Sequence, residues 1–261
     1  MDHSNGITPY TVQRDYEVTH IGGSSDLPES DSAEENAAGS GSSLAATKDF
    51  YNSVYKHGNY FHYQDWLYEP YVKCLIRAAD LSPGSSVLDV GCGQGLFSYL
   101  FAKNGMHVLG IDLSEIGVQQ ARGLYQHEDL RFASADALQA TFEQHFDCVF
   151  VRSCSLYNTQ SFPRQSNPTP KLLRHLSKGG VFIFVYNSVI SPKINEKWRN
   201  HSLSDVKSHF EDFPSSRTFF LSKYLIYGMR QVAFTGFGTA CSVALSKMCG
   251  LGGDMICLLQ I

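Results

Sequence analysis

Short apolar runs recur along the middle of the chain, and stretches with helical periodicity separate them. The runs are four to six residues long and cover residues 87–90, 107–111, 130–133, 146–151 and 181–186. Runs of this length, bounded by glycine or polar residues and containing β-branched residues, are typical of buried strands. Strands that alternate with helices predict a doubly wound α/β fold with a mainly parallel sheet.

The turn after the first of these strands is crowded with glycine. Gly91, Gly93 and Gly95 separate that strand from a predicted helix over residues 96–103, and Asp112 ends the next strand. Residues without side chains let a bulky ligand lie against the backbone, beside the N–H groups that open a helix. An acid at the tip of the second strand can accept hydrogen bonds from the hydroxyls of a ribose. The segment therefore predicts a site for a ligand that contains a ribose.

The glycine spacing separates two classes of such ligands. Dinucleotide-binding proteins use G-x-G-x-x-G, in which the start of the helix meets a pyrophosphate. This chain has G-x-G-x-G, with Leu96 where the last glycine would fall and Asp89 two residues before the first. A carboxylate at that point suits a ligand with a cationic amino-acid end and would repel a pyrophosphate.

These residues resemble the first motif of the class I methyltransferases that depend on S-adenosylmethionine (SAM). The Asp-Leu-Ser of residues 112–114, followed by Ala-Arg at 121–122, is similar to that family's second motif. The Lys-Gly-Gly of residues 178–180 resembles its turn into the fifth strand. The resemblance covers about residues 84–187 and implies that SAM is the cofactor.

The resemblance also implies which residues hold the cofactor. An acid at the place of Asp136 usually meets the adenine amino group in this family. Two plainer interpretations stay open: Asp112 and Glu115 as a helix capping box, and Asp136 as a helix N-cap. The expected cofactor-binding residues are Asp89, Gly91, Gly93, Gly95, Asp112, Leu113, Asp136, Ala137 and Ser153.

The family fold implies a seven-stranded sheet with an antiparallel last strand, and the aromatic-rich segment before it is expected to form an N-terminal helical lid. Two apolar runs, residues 238–244 and 255–261, are then expected as the final antiparallel pair, with the last strand inserted into the sheet. The expected organisation is an acidic flexible tail (1–47), aromatic-rich lid helices (48–82) and a SAM-binding domain (83–261) with a substrate-variable region (193–235).

The charge is concentrated in the tail. Residues 1–47 carry eight acids and one base, a net charge of −7, so the rest of the chain, at −4 + 7, has a net charge of +3. A balance this weakly positive, without clustered Lys or Arg, argues against nucleic acid as a partner. Residues 12–21 alternate weakly in polarity, which leaves an edge strand, a docking segment and a disordered tail as alternatives. Most of the tail has little to bury, so its removal is expected to leave stability unchanged.

Aromatic and histidine side chains make up ten of the nineteen residues of segment 50–68. They either cover an open edge of the sheet or form a lid whose polar tips face the substrate. The second interpretation makes Tyr51, Tyr60, Tyr63 and Trp66 candidate substrate-binding residues. It also makes His62, together with Tyr157 from the sheet side, a candidate general base, because unperturbed histidine titrates near neutral pH.

The polar run after the fourth strand, residues 152–158, limits which classes of methyl acceptor the sequence predicts. It lacks the D/N-P-P-Y tetrad with which relatives hold the exocyclic amine of a nucleic-acid base or a glutamine. It also lacks the histidine that many small-molecule relatives place near the positions of Tyr157 and Asn158, which leaves the identity of any base open.

Cysteine content and hydropathy indicate the cellular compartment in which the protein is expected. The seven cysteines include no C-x-x-C pair, which favours reduced thiols in a cytoplasmic setting over a disulfide framework or a metal site. The sequence predicts no N-terminal signal segment. The longest uncharged run near the C-terminus, residues 231–246, is 16 residues long and falls short of a membrane span.

The sequence therefore predicts a SAM-dependent methyltransferase that acts on an O, N, S or C nucleophile of a small molecule, as a monomer or homodimer. One alternative is a catalytically silent SAM-binding subunit that docks through the acidic tail. Another is a methyltransferase that acts on RNA or protein.

Overall fold

The computed structural model describes residues 18–19, 44–58, 64–158, 167–188, 201–213, 215–222, 226, 230–250 and 252–261. The strands are β1 (Val18–Thr19), β2 (Ser86–Val90), β3 (His107–Asp112), β4 (Leu130–Ser134), β5 (Thr141–Phe142), β6 (Phe146–Arg152), β7 (Leu176–Ser188), β8 (Ser216–Leu221) and β9 (Gly253–Gln260). The helices are α1 (Leu44–Lys56), α2 (Asp65–Ala78), α3 (Leu96–Lys103), α4 (Glu115–Leu124), α5 (Thr169–Leu173), α6 (Leu203–His209) and α7 (Gly236–Cys249), with a 3₁₀ turn at Ser155–Tyr157.

Seven strands form the central sheet in the order β4-β3-β2-β6-β7-β9-β8. Strands β4, β3, β2, β6 and β7 are parallel neighbours, whereas β9 is antiparallel to both β7 and β8. The prediction of a doubly wound, mostly parallel sheet with an antiparallel last strand is confirmed. The last strand is inserted between β7 and β8, as the sequence predicts.

Apolar side chains cover both faces of the sheet, which explains why its strands are continuous apolar runs. On one face Phe150 packs between Phe97 and Phe101 of α3, with ring centroids 5.7 and 5.0 Å away. Tyr71 and Leu75 of α2 are fully buried on the same face. A second cluster covers the other face. It consists largely of β6, β7 and β9 side chains together with residues of α5 and α6.

The sequence prediction for residues 238–244 is wrong, because these residues lie in helix α7 instead of a strand. The Thr235 hydroxyl caps this helix by accepting a hydrogen bond from the Gly238 N–H, and Gly250 ends it in the left-handed conformation. Gly238, Ser242 and Ser246 form its buried face at a spacing of four residues. The strand that pairs with β9 on this side is instead β8, which lies in the expected substrate-variable region.

Residues 18–19 of the N-terminal tail contact the domain. Val18–Thr19 pairs antiparallel with Thr141–Phe142 in a two-stranded sheet separate from the main one. This pairing favours the edge-strand interpretation of residues 12–21. Among the helices of the described segments, none has the length and hydropathy that a bilayer crossing requires.

Deleting residues 1–43 is expected to lower the melting temperature by no more than about 8 °C. The deletion removes a pairing of two residues, whose hydrogen bonds contribute about 1 kcal/mol each, and about 1 kcal/mol corresponds to about 2–4 °C in a domain of this size. Differential scanning calorimetry of the full and shortened chains measures this. A loss of ten degrees or more would contradict the prediction and make the tail an integral part of the fold.

Candidate functional site

A cleft opens at the carboxyl ends of the parallel strands, where β2 has β3 on one side and β6 on the other. This is the point at which the strand order reverses, and open α/β sheets bind their ligands there. The cleft is open to solvent, and its space together with that solvent is about 550 Å³. Its walls are formed by Tyr51, Tyr55, Val90, Gly91, Ile111, Asp112, Leu113, Ala135, Asp136, Ala137, Ser153, Cys154, Ser155 and Leu156.

The glycine loop between β2 and α3 forms the floor on one side. Gly93 and Gly95 have φ angles of +55° and +85°, in the left-handed region. A Cβ atom on Gly95 would come within 2.6 Å of the Phe132 ring, so this glycine allows the loop to pack against β4. A Cβ atom on Gly93 would come within 2.7 Å of the Tyr55 hydroxyl, so this glycine allows α1 to lie on the loop.

Asp112 lies at the tip of β3 and connects three parts of the site. One of its carboxylate oxygens accepts a hydrogen bond from the Gly93 N–H at 2.9 Å and the other accepts one from the Ser114 N–H at 2.8 Å. Burial raises the pKa of Asp112, and these backbone hydrogen bonds oppose that rise. The capping-box interpretation of Asp112 and Glu115 is wrong, because Ser114 is the N-cap of α4 and Glu115 pairs with Lys48 at 2.7 Å.

Asp89 lies behind the glycine loop and is not one of the wall residues. Asp89 is buried one residue before the end of β2, and its carboxylate accepts a 2.6 Å hydrogen bond from the Ser98 hydroxyl of α3. Burial raises the pKa of Asp89 to about 7, an effect that the Ser98 hydroxyl opposes and the nearby Asp112 carboxylate reinforces. The geometry gives Asp89 contact with the start of α3 instead of direct access to the cleft.

Two loops complete the opposite wall. The Asp136 carboxylate accepts a hydrogen bond from the Leu138 N–H at 2.9 Å, and a turn and the short strand β5 follow it instead of a helix. Ser153 follows β6 with φ +46°, an uncommon conformation outside glycine that concentrates at functional sites. Its N–H donates to the Val185 carbonyl at 2.8 Å, which fixes the turn.

Helix α1 lies over the glycine loop and the start of α4. The Ser114 hydroxyl donates to Asn52 at 2.7 Å, and the Gln120 side chain donates to the Tyr55 carbonyl at 2.8 Å. The Lys48–Glu115 ion pair lies at the same contact. These bonds bring Tyr51 and Tyr55 to the wall of the cleft, so the first half of the aromatic segment covers the cleft and not the edge of the sheet.

The second half of the aromatic segment divides between core and surface. Tyr68 packs against Phe97 in the core, with ring centroids 5.4 Å apart. Trp66 is 62% exposed and lies in a surface groove with Lys73 and Arg77. This placement separates Trp66 from the predicted substrate site. The remaining predicted residues of this segment, Tyr60, His62 and Tyr63, lie outside the described residues.

Tyr157 occupies the core. Its side chain is 1% exposed, and its hydroxyl forms a 2.8 Å hydrogen bond with the Thr169 hydroxyl. The ring packs against Phe184, 4.8 Å away between centroids, and burial raises the pKa of the phenol. This placement favours a packing role for Tyr157 and separates it from the cleft wall.

Six of the nine expected cofactor-binding residues lie in the wall: Gly91, Asp112, Leu113, Asp136, Ala137 and Ser153. Sequence reasoning missed Tyr55 and Cys154 as wall residues. Tyr55 lies one helical turn after Tyr51, and that spacing indicates a shared face. The Cys154 sulfur lies 2.9 Å from where a Cβ of Gly91 would be, a contact between residues distant in sequence. The described residues hold no group of three or more His, Cys, Asp or Glu side chains that could bind a metal ion.

Comparison with known proteins gives a consistent result. A family model described as a methyltransferase domain matches residues 81–218. The chain is 34% identical over 126 residues to phosphoethanolamine N-methyltransferase 2 of Caenorhabditis elegans, covering 46% of this chain and 28% of that protein. It is 46% identical over 71 residues to the ubiquinone biosynthesis O-methyltransferase of Azoarcus sp. (strain BH72), covering 25% and 30% of the two chains.

A solved structure shares the fold. Phosphoethanolamine N-methyltransferase 2 of Haemonchus contortus, in complex with S-adenosyl-L-methionine, superposes with a TM-score of 0.52 at 16% identity. The superposition covers 75% of this chain and 55% of that one. The chain spans less than a third of the length of the two curated relatives described above, so the comparison concerns the domain and not those whole proteins.

The titration of Asp89 predicts a pH dependence of stability. Its pKa in the folded protein is about 7, whereas the ordinary value is 3.8. The folded state therefore binds more protons than the unfolded state between these values, and the stability from this group is lost as the pH rises from about 4 to about 7. Urea unfolding across this range should show a steeper decline for the wild type than for Asp89→Asn. Parallel curves for the two proteins would contradict the burial effect.

Proposed function

The chain belongs to the methyltransferase domain family, and we propose on that premise that it transfers the methyl group of SAM to a nucleophile on a small molecule. The observation that carries the proposal is the cleft at the strand reversal, where the glycine loop and the fixed Asp112 carboxylate face the same space.

The wall residues fit the chemical groups of SAM. We assign Asp112 to the ribose hydroxyls, because its carboxylate is held at the strand tip by two backbone N–H groups. We assign Asp136 and Ala137 to the adenine end and the glycine loop to the methionine end. Asp89 acts through the loop, by holding Ser98 at the start of α3.

The chemistry needs alignment of the acceptor with the methyl group, and an acceptor hydroxyl also needs a base. When bound, SAM supplies a methyl group that its sulfonium has already activated. The protein then has to orient the acceptor and exclude water. The α1 helix suits the second task, because Tyr51 and Tyr55 line the cleft and three polar contacts hold the helix on α4 and the loop before it.

The class of acceptor is inferred from the relatives and from the charge. The two curated relatives are named as small-molecule methyltransferases. The C. elegans relative is named for methylation of nitrogen and the Azoarcus relative for methylation of oxygen. Residues 48–261 have a net charge of only +3, which supports a small molecule over RNA. A purified sample incubated with methyl-labelled SAM and a metabolite extract tests this, since mass spectrometry then identifies the labelled acceptor. Labelled RNA or protein, or no labelled product at all, would contradict the proposal.

Calorimetry should detect binding of SAM and of its demethylated product, and none of NAD.

Asp112→Ala removes one or two hydrogen bonds to a charged group, each contributing about 1.5–3 kcal/mol. SAM should therefore bind about ten- to ten-thousand-fold more weakly to this variant. Asp129→Ala is the matched control, because Asp129 pairs with His107 at the opposite end of β3. Equal SAM affinity in all three proteins, or NAD binding in the cleft, would refute the assignment.

His62→Ala should lower single-turnover methyl transfer at least about tenfold at saturating SAM, because loss of a general base costs about a hundred- to ten-thousand-fold in rate. Its affinity for SAM should be unchanged. Tyr157→Phe is the informative comparison, because it leaves Thr169 without its partner in the core. We expect this variant to lose melting temperature while it keeps its turnover. A tenfold loss of rate in Tyr157→Phe at unchanged stability would restore it as the base.

A further inference from the structure

Helix α7 has the reverse of the usual amphipathic pattern. Its buried residues are Gly238, Ser242 and Ser246, which offer little apolar surface to the core. Its outer face carries large apolar side chains, with Phe237 69% exposed and Met248 81% exposed. A surface helix normally buries its apolar side chains and exposes its polar ones. The outer face of α7 is therefore an apolar surface that the described part of the chain leaves uncovered.

Four residues form a seam along this outer face, which we call the α7 seam. They follow one another at spacings of four, three and four residues and are Phe237, Cys241, Ala244 and Met248. Alternating spacings of three and four residues keep side chains on one line that faces a second helix, as in coiled coils. Cys241 is half-buried and the other three residues are exposed. The pattern is that of a contact surface for another helix.

The α7 seam is complementary to itself when a second copy runs in the opposite direction. Around a two-fold axis, Phe237 faces Met248 of the partner subunit, and Cys241 faces Ala244 of the partner subunit. Symmetry then repeats each contact with the two subunits exchanged, as an isologous interface requires. The small residues at the centre let the two helix axes approach, while the large residues fill the ends. A second copy of this chain therefore matches the seam along its whole length.

The charges around the α7 seam favour a second copy over a lipid surface. Residues 231–246 contain no Asp, Glu, Lys or Arg, so two copies of this face do not repel each other. Helices that lie on a membrane carry a polar face rich in Lys and Arg. Helix α7 contains one basic residue, Lys247 in its last turn.

A groove beside α7 extends the apolar face. Its lining includes Ala240 of the helix, Phe219 of β8 and Phe234, and the two phenylalanine ring centroids are 5.4 Å apart. Lys207 and Arg217 also line the groove, and charged side chains are typical of the polar rim of an interface. Stable interfaces usually take about 800 Å² from each partner. The contact is therefore expected to extend from the seam into this groove.

We propose that the chain forms a two-fold symmetric homodimer in which the α7 seams of two copies pack antiparallel. The interface lies at the β8 edge of the sheet, where the Phe220 N–H donates to the Thr239 hydroxyl of α7 at 3.4 Å. Three strand spacings, together about 14 Å, separate β8 from β6 and the cleft. The inference goes beyond the proposed function and does not depend on it, because the α7 seam contributes no residue to the cleft wall.

Sedimentation velocity of the full chain over a wide range of concentrations tests the proposal. The wild type should sediment as a species of twice the chain mass of 29.0 kDa. Met248→Lys should raise the dissociation constant of the dimer at least about a hundredfold, because the two-fold axis buries the new charge twice. Leu124→Lys is the matched control, since Leu124 is 59% exposed at the end of α4. The control should dimerise like the wild type.

A double variant tests the antiparallel arrangement. Phe237→Glu alone should weaken the dimer as Met248→Lys does. With both substitutions in one chain, the two new charges are opposite in sign and face each other between the subunits. The double variant should therefore bind its partner at least about tenfold more tightly than either single variant. Within one helix the two positions are about 16 Å apart, so this recovery cannot come from an ion pair inside one chain.

Each outcome bears on the homodimer and not on methyl transfer. A wild type that stays monomeric, or a dimer that both single variants leave unchanged, would overturn the proposal. Weakened single variants without recovery in the double variant would overturn the antiparallel seam. A monomer that binds vesicles of phosphatidylcholine and phosphatidylserine, and loses this binding in Phe237→Glu, would assign the face to lipid instead. SAM affinity should be equal in all these proteins, and its absence from all of them would contradict the proposed function alone.

Discussion

The candidate site depends on one carboxylate. Asp112 accepts hydrogen bonds from the Gly93 and Ser114 backbones, so a single side chain joins the glycine loop, the tip of β3 and the start of α4. A hydrogen bond between a backbone N–H and a charged acceptor is stronger than a neutral one. Because the carboxylate is half-buried, the loss of either partner leaves part of its charge uncompensated, and this couples the three segments. The shape of the cleft follows from that coupling.

Helix α1 extends the same arrangement to the N-terminal side. Ser114 caps α4 by accepting from the Gly117 N–H, and its hydroxyl hydrogen is donated to Asn52 of α1. The residue that starts α4 therefore also holds the cover of the cleft. The absence of a side chain on Gly93 and Gly117 lets the Tyr55 ring approach both backbones closely. The cover and the floor of the cleft are thus parts of one packed unit.

Buried charge is concentrated at this edge of the sheet. Asp89 and Asp254 are buried, Asp112 is half-buried and Arg152 forms an ion pair with Asp254, and all four lie near the edge of the sheet where the parallel strands end. A uniformly apolar core would be more stable there. Fold stability alone does not explain why side chains whose burial is energetically unfavourable are gathered in one place. Sites that bind polar ligands need such groups, so the distribution of buried charge supports a functional role for this edge over one that only stabilises the sheet.

Sequence alone predicted the features that depend on neighbouring residues. The apolar runs predicted the five parallel strands, and the glycine turn with Asp112 predicted the place of the cleft. These signals are local, because a strand tip and the turn that follows it are adjacent in the chain. The capping-box alternative for Asp112 was also local, but it was wrong because Glu115 pairs with Lys48 on a different helix.

Only the tertiary structure decided what depends on distant contacts. Residues 238–244 form a helix because Gly238, Ser242 and Ser246 pack as one face, although a short apolar run fits a strand equally well. Tyr157 lies in the core because Thr169 satisfies its hydroxyl there. The pairing of Arg152 with Asp254 has no trace in the sequence, since residues far apart meet only when the last strand enters the sheet beside β7.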